Sequence, residues 1–131
     1  MRTPRPAATD IPPGATLAHQ AFDRRPDFAD AWQLPLHPGM DRAPEAWRNV
    51  LPFPVMARSP TELLLGEDAG HLDFRASILI ENDTVTLSTV VRIHNRRGRL
   101  YFAVIRRVHP PMARLMLRRT HRRMALGTLR N

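Results

Sequence analysis

Residues 71–108 read HLDFRASILIENDTVTLSTVVRIHNRRGRLYFAVIRRV, and the fold turns on how this stretch pairs with itself. Two runs of alternating apolar and polar residues flank Asn82-Asp83, and both members of that dipeptide tolerate the positive φ that tight hairpin turns need. With the turn there, opposed residues have numbers summing to 165. One face then gathers Leu72–Ile93, Phe74–Val91, Ala76–Thr89, Ile78–Leu87 and Ile80–Val85. The other gathers His71–His94, Asp73–Arg92, Arg75–Val90, Ser77–Ser88 and Leu79–Thr86. A slip of one residue would mix the faces, because side chains alternate with period two. The pattern predicts an antiparallel sheet with one face buried and the other largely wet.

The buried face needs a cover, and Gly98–Met124 can supply it as a helix. Tyr101, Val104, Ile105, Val108, Met112, Leu115 and Met116 recur at the i, i+3, i+4 spacing of one helical face. Arg106, Arg107, Arg114, Arg118, Arg122 and Arg123 fall largely on other sides. Such a helix reaches ~40 Å, enough to cross strands of ~36 Å. Pro110-Pro111 interrupts it: a proline inside a helix costs about 3 kcal/mol, so a kink or break is expected there. From the residues alone, Leu100–Arg107 is also compatible with a third strand.

Outward from this core the chain offers shorter elements. Residues 1–16 hold four of the thirteen prolines and little apolar mass, and are expected to form a flexible arm ahead of a single domain over 17–131. In PDFADAWQLPLHPG, Phe28, Trp32, Leu34 and Leu36 are candidates for burial, and the prolines point to an edge strand or extended segment. Pro44–Val50 suits a short helix with proline in its first turn. Pro52 and Pro54 end it, and brief strands are expected over Phe53–Ala57 and Thr61–Leu65.

Composition bounds the function classes. With 131 residues, 43% hydrophobic and 24% charged, the chain is sized for one globular core. It has no cysteine, which excludes disulfides and thiolate metal sites. No apolar run approaches the ~20 residues of a membrane span, and the N-terminus lacks the apolar core of a secretory signal. A cytoplasmic location is the default expectation. All twenty basic residues are arginine, for which genome base composition is the simplest cause. Their placement says more: residues 1–95 carry nine arginines and twelve acids, and residues 96–131 carry eleven arginines and no acid.

No glycine-rich phosphate loop, nucleophile elbow, zincin motif or zinc-finger spacing occurs, so no catalytic residue, metal ligand or cofactor is expected. Glu67-Asp68 reads as a turn or strand end. On the outer face, Asp73–Arg92 reads as a cross-strand ion pair beside His71 and His94 rather than as a metal site. His109, next to the double proline, reads as a packed or capping histidine.

The pieces Leu65-Gly66-Glu67-Asp68, His71-Leu72-Asp73-Phe74-Arg75, His94-Asn95, Gly98-Arg99-Leu100-Tyr101, Ala103-Val104-Ile105-Arg106 and His109 resemble a bacterial family of unknown function. That family is grouped with the START-like, or helix-grip, superfamily of lipid and polyketide binders. The resemblance covers roughly residues 60–125 and, more loosely, the segment ADAWQLPL around Asp30. It implies an α+β fold in which an antiparallel sheet grips a long C-terminal helix, so that the segment after Asn95 is helical. Two departures stand out. The family's usual Pro-Phe-His in that helix is replaced by Arg107-Val108-His109-Pro110-Pro111, and the middle helices are shortened to about APEAWRNVL. Relatives of the domain also occur fused behind NAD-binding domains, which implies an accessory role beside an enzyme as a further option.

Two functional expectations follow. The first is a pocket for a small hydrophobic ligand between sheet and helix, lined by Phe74, Ala76, Ile78, Leu87, Thr89, Val91, Tyr101, Ile105 and Val108, with Thr89 and Tyr101 as polar anchors. The alternative is an interaction module in which Arg114, Arg118, Arg119, Arg122 and Arg123 meet an anionic partner or another subunit, as in a homodimer. Nucleic acid is disfavoured, because residues 109–131 hold no Phe, Tyr or Trp for base stacking. A membrane surface stays open as a partner.

Overall fold

The computed structural model describes residues 4–23 and 25–130. Six antiparallel strands form one sheet in the order β1-β2-β6-β5-β4-β3. They are β1 (Ala7–Thr9), β2 (Phe28–Pro35), β3 (Val55–Arg58), β4 (Glu62–Ala69), β5 (Leu72–Glu81) and β6 (Thr84–Ile93). A short helix α1 (Thr16–His19) follows β1, a 3-10 turn spans Pro44–Trp47, and a long helix α2 (Arg96–Arg130) closes the chain. The architecture is α+β and helix-grip-like, with only the 3-10 turn between β2 and β3.

The central hairpin pairs as its alternation dictates, from Leu72↔Ile93 to Ile80↔Val85 on one face and from Asp73↔Arg92 to Leu79↔Thr86 on the other. Asn82 and Asp83 occupy the turn at φ 53° and 58°, the left-handed region that short polar side chains tolerate. Beyond Leu72, the His94 N–H donates to the His71 carbonyl at 2.9 Å. The inner face carries Leu63, Leu65, Ala76, Ile78, Ile80, Val85 and Leu87. These pack with Leu34, Trp47, Val50 and Leu117 in the main core.

The outer face is not wet. Ser77, Leu79, Thr86, Ser88 and Val90 are all buried there. Part of the cover is the segment around α1, where Ala15, Ala18 and Ile11 pack on Leu79. The buried Glu62 carboxylate pins that segment, accepting the N–H of Leu17 at 2.7 Å and of Ala18 at 3.0 Å and the Ser77 hydroxyl. Small polar residues in alternation look solvent-facing in the sequence, yet here Ser77 donates to the Glu62 carboxylate, while the buried Ser88 hydroxyl has no hydrogen-bond partner. Within residues 1–16, Ala7–Thr9 make β1 and Ala15 is fully buried.

Nor is β2 an edge strand, since it lies between β1 and β6. Its proline is accommodated because β1 pairs only with Ala31–Gln33, and Pro35 lies beyond that stretch.

Helix α2 begins where Asn95 caps it: the Asn95 Oδ1 accepts the Gly98 N–H at 2.9 Å. Leu100–Arg107 is therefore helical and not a third strand. Of the kink or break expected at Pro110-Pro111, the break is absent, since the helix runs through both residues. Each proline lacks the N–H that would reach back four residues, to the carbonyls of Arg106 and Arg107. Both arginines are exposed, so water can serve those carbonyls.

The face that α2 turns to the sheet differs from the one its hydrophobic spacing suggests. Gly98, Phe102, Ala113, Leu117, His121 and Ala125 are buried, with Ile105, His109 and Met116 partly so. Tyr101, Val104, Met112 and Leu115, expected inside, are 53–64% exposed. Close approach selects the small residues: a Cβ on Gly98 would lie 2.2 Å from the His71 carbonyl oxygen. The helix settles on its narrow side, and several of its large apolar side chains point outward.

Candidate functional site

Between the first half of α2 and the end of the sheet that carries the β4–β5 turn lies an open pocket of about 350 Å³. Its sheet wall is Glu67, Ala69, Leu72, Phe74 and Val91, and its helix wall runs from Tyr101 to Met116. Leu51, Pro52 and Phe53, the chain leaving the 3-10 turn, close a third side. The alternation of β5 and β6 puts Phe74 and Val91 on the inner face, opposed in register. The Phe53 ring meets that of Phe74 at 4.9 Å between centroids. The lining is apolar apart from Glu67, the Tyr101 hydroxyl and His109.

His109 is held by a polar group built across two strands. Asp30 of β2 stands opposite Thr89 of β6 on the inner face. The His109 Nε2 lies 3.1 Å from the Thr89 hydroxyl and 3.9 Å from Asp30 Oδ1. Trp32 Nε1 donates to Asp30 Oδ2 at 3.3 Å, while the buried Asp30 Oδ1 has no hydrogen-bond partner. The rings of Phe28 and Phe74 meet the imidazole edge-on at 6.2 and 6.0 Å between centroids.

Burial pushes the Asp30 carboxyl above its ordinary value, against the opposing pull of His109, Trp32 and Thr89. Burial likewise pushes His109 down, and the Asp30 charge offsets this only in part. The imidazole is thus neutral near pH 7. Its Nε2 faces a hydroxyl and a carboxylate, which favours a proton on that nitrogen. That leaves the lone pair on Nδ1.

The residues expected to line a ligand site are divided by the structure. Phe74, Val91, Tyr101 and Ile105 line the pocket. Ala76, Ile78 and Leu87 are fully buried in the core, and Thr89 lies buried beneath His109. The side chain of Val108 is outside the described residues. Sequence reading missed His109 as a lining residue, along with Asp30, Phe102 and the Leu51–Phe53 segment. For Asp30 a signal existed: in FADAWQLP the alternate residues are Phe28, Asp30, Trp32 and Leu34, so one carboxylate interrupts an apolar face.

The arginine set lies further along α2. Arg114 stacks over the Trp32 ring at 4.8 Å and its Nε donates to the Pro110 carbonyl at 3.3 Å. Arg118, Arg119, Arg122 and Arg123 are exposed. Beneath them His121 is fully buried, its Nε2 2.8 Å from the Pro35 carbonyl and its ring against His37 and Trp47.

The outer-face cluster is structural. Asp73 Oδ2 pairs with Arg92 Nη2 and with His94 Nε2, each at 2.9 Å. Desolvation works against the Asp73 charge, but hydrogen bonds from His94 and Arg92 outweigh it and hold the carboxyl below its ordinary value. Arg92 also reaches Asp23 at 2.9 Å and tethers the segment before β2. Among the described residues, no group of three or more His, Asp or Glu side chains is placed to hold a metal ion. No helix among them is long and apolar enough to cross a membrane.

A family model described as a protein of unknown function (DUF2867) matches residues 40–116, more than half of the chain, and the chain belongs to that family. No curated protein and no solved structure matches it.

Proposed function

We propose that this member of the DUF2867 family is a binding domain of the START-like, helix-grip type that holds a small, mainly apolar molecule between sheet and α2. The observation that carries the proposal is the pocket: about 350 Å³, at the lower end of small-ligand sites, and lined almost wholly by apolar side chains. Apolar walls supply affinity through burial, and one placed polar group supplies orientation. His109 is that group. As a neutral acceptor backed by Thr89 and Asp30, it favours a ligand carrying a hydroxyl or other neutral donor. Glu67 at the rim disfavours a carboxylate or phosphate there.

Titration of the purified protein with a fluorescent apolar probe such as N-phenyl-1-naphthylamine tests the proposal. Saturable one-site binding is expected, with Ile105→Trp weakening it at least tenfold while leaving the thermal midpoint within a few degrees. Absence of saturable binding, or equal binding by Ile105→Trp, overturns it. Native mass spectrometry of protein purified from its own host then identifies what the pocket carries.

A further inference from the structure

We infer that the outward side of α2 docks on an anionic lipid surface. At ~100° per residue, Leu100, Val104, Leu115, Tyr101 and Met112 fall within about 120° of the helix circumference. Each is more than half exposed, Leu100 at 73% and Val104 at 64%. These side chains are not spare core, because the opposite side of the same helix already packs on the sheet.

Charge selects the occupant. Residues 96–131 hold eleven arginines and no acid. Arg97, Arg118, Arg119 and Arg122 share the outward side with the apolar ridge. A second copy of the chain docking through this face would bring two such arginine sets together, and like charges oppose that contact. The first turn adds Arg96 and Arg99, beside Arg97, at the positive end of the helix dipole, where an external anion relieves the repulsion. Nucleic acid would satisfy the charge but leave the leucine, valine and methionine side chains in water. An anionic bilayer satisfies both: apolar side chains enter the interface while guanidinium groups, carried on flexible stems, reach the headgroups. The helix is too polar to span, so the docking is parallel to the surface.

Docking does not depend on the pocket being occupied. One consequence does rest on the pocket reading: Tyr101 and Met112 belong to both the ridge and the pocket rim, so the bound orientation turns the mouth toward lipid.

Co-sedimentation of the full chain with phosphatidylcholine vesicles, and with vesicles containing about a third phosphatidylglycerol, tests the inference. Partitioning at least tenfold stronger onto the anionic vesicles is expected at low salt and reduced at high salt. Val104→Ser with Leu115→Ser, both outside the packed face, is expected to weaken it at least threefold with an unchanged thermal midpoint. Arg118→Gln with Arg122→Gln is expected to act similarly. Equal partitioning onto both vesicle types, or none, overturns the inference. So does vesicle binding that the serine variant retains in full and duplex DNA abolishes by competition, because that marks a general polyanion surface. The pocket reading stands or falls separately, on probe binding in the absence of vesicles.

Discussion

Replacing Glu62 by alanine tests how the outer face of the sheet is covered. The carboxylate is 1% exposed and serves three donors: the backbone N–H groups of Leu17 and Ala18 and the hydroxyl of Ser77. Alanine leaves all three without their acceptor. A hydrogen bond to a charged acceptor contributes ~1.5–3 kcal/mol, and a buried donor left unmade costs ~1–3 kcal/mol. The Leu17 amide is only part-buried and can turn to water, so the losses do not add in full. We expect Glu62→Ala to destabilise by about 3–5 kcal/mol, and Ser77→Ala, which removes one donor and its need together, by about 1 kcal/mol. At this chain length the larger figure corresponds to a fall of ~10–20 °C in Tm. Urea unfolding followed by far-UV circular dichroism measures it. Because α1 is the segment released, chymotrypsin cleavage after Leu17, within α1, should accelerate under native conditions. A Glu62→Ala protein within about 1 kcal/mol of wild type, with unchanged proteolysis, would refute the assignment of Glu62 as the pin.

Other variants probe separate parts of the fold. Asn82→Val places a β-branched side chain at φ 53° and should cost about 1–2 kcal/mol in urea unfolding. Leu117→Ala, at a fully buried position of the main core, should cost about 2–5 kcal/mol by the same measurement. Burial holds His109 and His121 below the imidazole's ordinary 6.5. The unfolded chain therefore binds protons first, and their contribution to stability is present above pH 6.5 and lost as pH falls through the folded values. A falling urea midpoint below neutrality is expected, and His121→Gln, which keeps a donor for the Pro35 carbonyl, should flatten it. Asp73 has the acid sign: its folded pKa is depressed, so its contribution is present above 3.8 and lost as pH falls through the folded value. Asp73→Asn should lower stability at pH 7 and reduce the loss below pH 4, as read by thermal melts across pH.

The hairpin was fully legible because period-two alternation leaves one register that separates its faces, and Asn82-Asp83 supplies a turn that fits it. That the segment after Asn95 is helical was legible from spacing and family resemblance, but neither its continuity through Pro110-Pro111 nor its orientation was. Hydrophobic spacing in Gly98–Met124 has two apolar sides, and the larger side chains, Tyr101, Val104, Met112 and Leu115, drew the assignment. The packed side sets Phe102 and Leu117 among Gly98, Ala113, His109 and His121, residues that score as small or polar, and its small members let the helix approach the sheet. The buried outer face was hidden for a related reason: Ser77, Thr86 and Ser88 look solvent-facing, and their cover comes from a proline-rich segment with few apolar side chains. Of the site's sheet wall, alternation pointed to Phe74 and Val91 as lining residues but not to Glu67, Ala69 or Leu72. Asp30 showed locally as a carboxylate interrupting an apolar face, but its place opposite Thr89 came only with the β2–β6 register, which no local pattern specifies.

Gly98 also sets the height of a ceiling. The helix rests low on the sheet at two supports, Gly98 over the His71 carbonyl and the buried Ala113, and the pocket's roof hangs across the span near them. Cavity size in this protein is therefore governed in part by the smallness of those supports, of which Ala113 lines the pocket and Gly98 does not. A methyl group added at Gly98 would occupy none of the pocket, yet it would lever the roof upward and widen the mouth. Variation at such a position changes what fits inside without touching what lines the wall.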